Sequence, residues 1–394
     1  MNHLQNLINL TEQEKVARGL VYTPREIAQQ PETWKSTFKI FQQRAEEIRE
    51  FLISAGVTSD PRSRPIVYLI GAGTSDYVGE SLVYLLRQMW QCEVLAVPST
   101  DLLPNFDDHV LPERKYLWIS FSRSGESPEG VAVLERALEA YPNISHIVVS
   151  CNANGRMARN TNLARVLTVV LDDAVNDRSL AMTSSFTNMV IFGQCLAHAW
   201  TESKYESIFH QLTNAGEKFL EISAECAATL SKRPYTNACF VGTGSLASVA
   251  KESSLKLLEL TAGRVRTMST STLGLRHGPM AALNKDTLFV CYLSTQKDRR
   301  QYEEDLLREI SRKRISGCRV AVGLTLDASD EPLADFLLTP GPGFAMEDSY
   351  RPPLDVIFGQ LLGLYFSIAN GIHPDTPSPD GVISRVVPSI GMHR

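Results

Sequence analysis

The octapeptide Ser120 to Ser127, "SFSRSGES", holds four serines, an arginine and a glycine. It joins a strand-like apolar run, Lys115 to Ile119, to Pro128–Leu134, which reads as a helix start. At such a corner of a parallel sheet the helix N-terminus offers free N–H groups and a partial positive charge, which suit phosphate. Ser and Thr hydroxyls add donors without bulk. Ser127-Pro128 fits an N-cap followed by proline at the first helical position. Gly125 lets the backbone close around an oxyanion, and Arg123 can add a charge-assisted bond. Alone, the stretch reads also as ordinary helix capping. A second corner, Gly71-Ala72-Gly73-Thr74-Ser75, ends a strand and opens a helix in the same way. Asp76 stands where the dinucleotide fingerprint wants its third glycine, and no Walker lysine follows. Two hydroxyl corners on one sheet fit a phosphomonoester better than a nucleotide.

A different chemistry is written in the second half. Glu252, Lys256 and Glu259 are spaced i, i+4, i+7 and share one stripe of a helix. Leu255, Leu257, Leu258 and Leu260 flank them, so the stripe belongs to an otherwise buried helix. Charges there are costly unless they pair or work. A structural Glu–Lys ladder satisfies the same pattern. Downstream, "STLGLRHGPM" sets His277 between Arg276 and Gly278-Pro279, in a non-helical loop. A loop histidine is often plain surface, yet it can move a proton near neutral pH.

Positioning these groups requires strands and helices in alternation, which the chain supplies. Candidate strands are Pro65–Gly71, Glu93–Ser99, Lys115–Ser122, His146–Asn152 and Val166–Leu171, then Ala238–Gly244, Arg266–Thr270, Thr287–Ser294, Arg319–Asp327 and Asp335–Pro340. Helices are expected between them, at Ser75–Trp90, Pro128–Tyr141, Leu246–Ala262, Arg299–Lys313 and Leu354–Asn370. A long helical region, Phe186–Leu230, separates the two series. Short apolar strands spaced by helices imply parallel sheets covered on both faces. "YLIGAGTSDYVGES" from Tyr68 and "CFVGTGSLASVAKES" from Cys239 share strand, Gly-x-Gly, hydroxyl and helix, which points to a duplicated α/β unit. The first fifty residues read as polar helices, Glu12–Leu20 and Trp34–Ile53, separated by Pro24 and Pro31. The tail from Gly371 holds four prolines and reads as extended.

Bulk properties bound the partners. The 394 residues suffice for two to three domains, and the net charge of -5 provides no basic field for nucleic acid. No apolar run reaches the ~18 residues of a membrane span. Seven scattered cysteines form no Cys-x-x-Cys pair, and Met1–Asn6 shows no leader pattern, so a reduced, cytoplasmic protein is expected.

Taken together, "GAGTS", "SRSGES", "MTSSFTN", "ESSLKLLELTAG" and "LRHGP" resemble the sugar isomerase (SIS) domain family. The chain is similar to the isomerase half of glucosamine-6-phosphate synthase. It is more similar still to the AgaS-type galactosamine-6-phosphate deaminase/isomerases, also called tagatose-6-phosphate ketose/aldose isomerases, through "AMTSSFTNM", "LRHGPM" and "NGIHPDTPSPDGVISRVV". The resemblance implies two tandem three-layer, flavodoxin-like SIS domains: a helical segment at residues 1–50, domain 1 at 51–215, domain 2 at 216–370 and a tail at 371–394. It puts Thr74, Ser75, Ser122, Arg123, Ser124 and Ser127 at phosphate-loop positions, although the family usually has an amide residue where Arg123 stands. Thr183 and Ser184 fall on the loop lining the sugar. Glu259 takes the place of the proton-abstracting base, with Lys256 and Glu252 beside it. His277 takes that of the ring-opening histidine, which in the family reaches in from a partner subunit, so a homodimer or dimer of dimers is implied. Arg385 matches a C-terminal lysine that contacts the open-chain sugar. The implied substrate is a 6-phosphosugar, D-galactosamine 6-phosphate, converted to tagatose 6-phosphate and ammonia with no metal or redox cofactor. A plain aldose–ketose isomerase uses the same residues. A non-catalytic phosphosugar sensor is the other reading; such chains usually carry one SIS unit and a helix-turn-helix.

Overall fold

The structure, a computed structural model, describes residues 3–159, 163–323, 333–388 and 390–391. It holds two compact units: one formed by residues 32–177, 184–207 and 381–394, the other by residues 1–31, 178–183 and 208–380. Each is built on one five-stranded parallel sheet.

In the first-sheet unit the strands are β1 (Ile66–Gly71), β2 (Val94–Pro98), β3 (Tyr116–Ser122), β4 (Ile144–Ser150) and β5 (Val166–Val170), in the order β2-β1-β3-β4-β5. Every residue of β1 and β3 is buried, as continuous apolar runs covered on both faces must be. Tyr68 stacks on Trp118 at 6.0 Å between ring centroids, and Phe106 tilts against Trp118 at 5.6 Å. The helix Ser184–Ala197 is buried at every residue, and Gly193 admits Leu82 of the Thr74–Trp90 helix where a Cβ would stand 2.1 Å from a leucine methyl.

The second-sheet unit has β6 (Asn237–Gly242), β7 (Arg266–Ser271), β8 (Thr287–Tyr292), β9 (Cys318–Val322) and β10 (Phe336–Leu338), ordered β10-β9-β8-β6-β7. Counted from its own first strand, this is the order of the first sheet, so the duplication read from the two Gly-x-Gly corners extends to the whole topology. Both sheets have the flavodoxin-like arrangement. The sequence expectation of a strand Arg319–Asp327 is met as far as Val322; residues 324–327 lie outside the described residues. The helix Pro352–Ala369 has the length and apolarity of a membrane span, but Pro352–Ser367 are all buried, so it serves here as a core helix. It crosses Ser245–Leu260 closely, with Gly359 against Ser253 and Gly363 against the Lys256 backbone.

Two expected helices are each two. The stretch Trp34–Ile53 divides into Gln30–Gln43 and Ala45–Ser54 at Arg44, whose guanidinium leaves to bond Glu47 and the Thr168 carbonyl. The stretch Phe186–Leu230 divides into Ser184–Ala197 and Glu202–Leu230, where Thr201 N bonds the His198 carbonyl in a turn and the His198 ring stacks on Tyr205. Pro24 and Pro31 stand in the first turns of helices Thr23–Ala28 and Gln30–Gln43, so they start helices as well as ending the preceding ones. All seven cysteines are free and buried.

Candidate active site

β1 and β3 are neighbours, Ile70 opposite Ser120, and the strand order reverses between them. Their carboxyl ends therefore open the crevice where parallel α/β sheets bind ligands. β1 ends at Gly71, whose Cβ would lie 2.2 Å from the Ser75 backbone, so only glycine lets the helix start this close. Gly73 takes φ +55 and hands over to Thr74 and Ser75, both buried in the first helical turn.

β3 ends at Ser122, whose Oγ accepts from Gly125 N at 3.0 Å; Ser124 Oγ accepts from Glu126 N at 3.2 Å. Gly125, at φ +65, packs against Gly155, where a Cβ would come within 3.0 Å of the Gly155 Cα. A second loop clamps this corner. Asn152 Nδ2 donates to the Ser124 carbonyl at 2.8 Å, Met157 N to the Gly125 carbonyl at 3.0 Å, and Arg156 N to Glu126 Oε1 at 2.9 Å. Ser127 occupies the N-cap position of Pro128–Ala140, yet its side chain makes no capping bond. The hydroxyl and the first-turn N–H groups of Glu129 and Gly130 form a short cluster of donors with a helix dipole behind it.

Arg123 is buried, and its Nη2 donates to the carbonyl of Arg385. The Arg385 guanidinium is itself engaged: Nε donates to the Asp177 carbonyl at 2.8 Å and Nη2 to Asn176 Oδ1 at 2.7 Å. Asp177 in turn caps Ser184–Ala197, accepting from Ser184 N at 3.1 Å, Ser185 N at 2.9 Å and the Ser185 hydroxyl at 2.6 Å. The tail arginine thus sits in a clamp that joins Arg123 to Asn176 and Asp177.

In the second-sheet unit, Ser245–Leu260 carries the charged stripe. Glu252 and Lys256 are buried; the Glu259 side chain retains 22% exposure. Lys256 Nζ lies 2.6 Å from Glu259 Oε2 and 3.4 Å from Glu252 Oε1. The ammonium is sandwiched, with the inner carboxylate balancing it and the outer one reaching toward solvent. Of the three, Glu259 alone presents itself to a molecule arriving from outside. His277 follows the short turn Gly274–Arg276 and is exposed. Arg276 ties this loop to Glu309 at 2.7 Å, and Leu275 is buried beneath it. Among the described residues no hydrogen bond or ion pair joins the His277 ring to the stripe. Thr183 is buried in this unit, its carbonyl accepting from Gln360 Nε2 at 3.3 Å. Among the described residues no cluster of His, Cys, Asp and Glu could hold a metal ion.

The structure thus gathers Thr74, Ser75, Ser122, Arg123, Ser124 and Ser127 at one end of one sheet, with Arg385 tied in through Arg123. It gathers Glu252, Lys256 and Glu259 on one helix of the other unit. Sequence reasoning passed over Asp177 and the Asn152–Gly155 loop. The first had a usable signal, an acid shortly ahead of a helix that opens with serines; the second had only an unremarkable "NANG" turn.

Known proteins resemble this chain over most of its length. The SIS domain model matches residues 62–199. An AgaS protein of Streptomyces coelicolor is 36% identical over 95% of each chain. The D-galactosamine-6-phosphate deaminase AgaS of Escherichia coli O157:H7 is 32% identical over 94% of this chain and 95% of its own. Among solved structures, a tagatose-6-phosphate ketose/aldose isomerase from Escherichia coli superposes with a TM-score of 0.84 at 28% identity, covering 94% of this chain and 96% of that one.

Proposed function

The chain belongs to the AgaS family of SIS-domain proteins, and from that premise we propose that it is a phosphosugar deaminase/isomerase acting on D-galactosamine 6-phosphate. The observation that carries the reading is the pairing of two kinds of site in one chain: a hydroxyl-lined corner with an uncommitted Ser127, and a buried Glu–Lys–Glu stripe whose outer carboxylate is partly exposed. A sensor needs the first and has no use for the second.

In this reading Ser122, Ser124 and Ser127, with Thr74 and Ser75, anchor the 6-phosphate. His277 opens the pyranose by moving a proton from O1 to O5. Glu259, oriented by the Lys256 ammonium, takes the proton from C2; the electron pair forms the C1–C2 double bond, the carbonyl pair passes to O1, which takes up a proton, and an enolamine results. Return of a proton to C1, with loss of one from the nitrogen, leaves an imine at C2. Water adds there and ammonia departs, giving the ketose phosphate. A protonated 2-amino group is drawn to the stripe's net negative charge, two carboxylates against one ammonium, whereas a 2-hydroxyl gains little. Because the His277 ring is exposed on a loop, a homodimer in which it completes the partner's site fits best. The deciding assay supplies galactosamine 6-phosphate, glucosamine 6-phosphate and tagatose 6-phosphate separately and follows ammonia and ketose. Fastest ammonia release from the galacto sugar is expected. Aldose–ketose interconversion with no ammonia from either amino sugar overturns the deaminase and leaves the isomerase, the activity named for the Escherichia coli structure.

A further inference from the structure

The segment Arg178–Thr183 has no regular secondary structure, yet two side chains and one backbone carbonyl from three distant parts of its unit hold it. Glu26, on the Thr23–Ala28 helix, accepts from Arg178 N, from Ser179 N at 3.3 Å and from the Ser179 hydroxyl. Leu180 N donates to the Asp375 carbonyl at 3.0 Å. The Thr183 carbonyl accepts from Gln360, whose Oε1 accepts from Gln30 Nε2 at 2.8 Å. The Asp375 carboxylate turns the other way. It accepts from Val21 N at 2.7 Å, Tyr22 N at 3.1 Å and Thr23 N at 2.8 Å, so it caps the short helix that bears Glu26.

Every one of these side chains is buried: Glu26 is 6% exposed, Asp375 7%, and Gln30, Gln360, Ser179 and Thr183 not at all. A buried carboxylate is tolerated only where donors surround it, and a satisfied polar network at this depth admits one geometry. Six residues of ordinary connecting loop have no need of such a frame. We propose that Glu26 is a positioning residue: the N-terminal arm, capped by Asp375, fixes Arg178–Thr183 and so sets the course of the segment that, in the proposed reaction, lines the sugar. The kinetic part of this proposal rests on the deaminase/isomerase reading; the structural part does not.

The test uses the full chain with Glu26→Ala and Glu26→Gln. Hydrogen exchange at the Arg178–Leu180 amides, calorimetric binding of inorganic phosphate, and kcat/KM are measured together. In Glu26→Ala the amides should lose protection and kcat/KM should fall about 10- to 10²-fold, as a misplaced loop would produce. Phosphate affinity should stay within about twofold, because the phosphate corner draws on none of these hydrogen bonds. Glu26→Gln keeps one acceptor oxygen and should recover part of both losses. Unchanged exchange and turnover in a folded Ala variant overturn the proposal. So does a loss of phosphate binding in step with turnover, which marks general collapse. If the Ala variant does not fold, Glu26→Gln and Asp375→Asn are read against the same criteria. If wild-type protein turns over no amino sugar phosphate, the function has failed, and the exchange data still decide whether Glu26 holds the loop.

Discussion

The two sheets repeat one design and use the matching corner in opposite ways. In the first, β3 ends at Ser122 and the corner to Pro128–Ala140 leaves the Ser127 hydroxyl uncommitted. In the second, β8 leads through Leu293–Gln296 to the helix Lys297–Lys313, and the chain's own Asp348 fills the corner. Its carboxylate accepts from the Ser294 hydroxyl, from Thr295 N at 2.8 Å and from the Thr295 hydroxyl at 2.9 Å, with Arg299 and Arg351 each at 3.4 Å. The local turn is the same: Gln296 N donates to Ser294 Oγ at 3.0 Å, as Glu126 N does to Ser124 Oγ at 3.2 Å. A corner that suits an anion has been left open once and closed once by a side chain.

The first helices diverge in the complementary sense. Aligning Gly71 and Gly73 with Gly242 and Gly244 puts Ser81, Leu85 and Gln88 where Glu252, Lys256 and Glu259 stand. At these three positions the unit with the open corner carries no charge; the unit with the stripe has its corner filled. On the proposed function, such a division lets anion binding and proton transfer be tuned separately, since a carboxylate base beside a phosphate seat would weaken it.

The largest effect that could break this picture is at the stripe. Glu259→Gln should slow exchange of the substrate's C2 hydrogen with deuterated water by ~10²–10⁴-fold, the usual contribution of a positioned base. Mixing Glu259→Gln with His277→Ala protein should restore part of the activity through hybrid dimers. Full exchange in Glu259→Gln removes the stripe from the chemistry and leaves it a structural ladder.

How much of this was legible in the sequence follows from what each feature depends on. Strands show because a doubly covered parallel strand must be apolar over most of its length, as "IVYLIG" and the "YLWI" of "YLWISFS" are. The glycine corners show because positive φ and a backbone in contact leave no alternative residue. The Glu–Lys–Glu stripe shows because helical period and burial are local. The holds on Arg178–Thr183 do not, because Glu26 and Asp375 lie far off in sequence and look like any surface acid there. The closed corner escaped for the same reason: nothing near Asp348 announces that Ser294 and Thr295 are its donors. Nor did the sequence reveal that the Arg385 guanidinium is taken up by Asn176 and Asp177.

A mid-sized effect sharpens the picture at the closed corner. Glu303 is fully buried there, with Oε2 accepting from Ser294 N at 2.6 Å. Burial pushes its carboxyl up to about 7 from an ordinary 4.5, Asp348 adds to the rise, and the bond from Ser294 N opposes it. The fold therefore favours the protonated form. Its stabilising contribution is complete below pH 4.5 and is lost as pH rises through about 7. Replacing the group by an amide should remove this slope. Between pH 4.5 and pH 8, wild type should lose about 3 kcal/mol more than Glu303→Gln, as a shift of this size implies. Urea unfolding at several pH values measures it, and parallel slopes for the two proteins would remove Glu303 as the cause.

The smallest effect is the most discriminating, because it makes one change at two matching serines. Ser124 and Ser294 hold the same place in their turns, each accepting an N–H from two residues on. At the open corner the Ser124 hydroxyl still has a lone pair and its proton for a ligand. Ser124→Ala should therefore raise KM for the phosphosugar several-fold, with stability changed by less than about 0.5 kcal/mol, as at other partly exposed positions. At the closed corner the Ser294 proton is already given to Asp348. Ser294→Ala leaves a buried carboxylate one donor short and should cost about 1–3 kcal/mol of stability, while KM stays put. Measuring both quantities for both variants gives a two-by-two result. If both serines move only stability, the first corner is closed too and the phosphate anchor lies elsewhere. If both move KM, Asp348 has not taken the second corner out of use, and the division of labour between the two sheets fails.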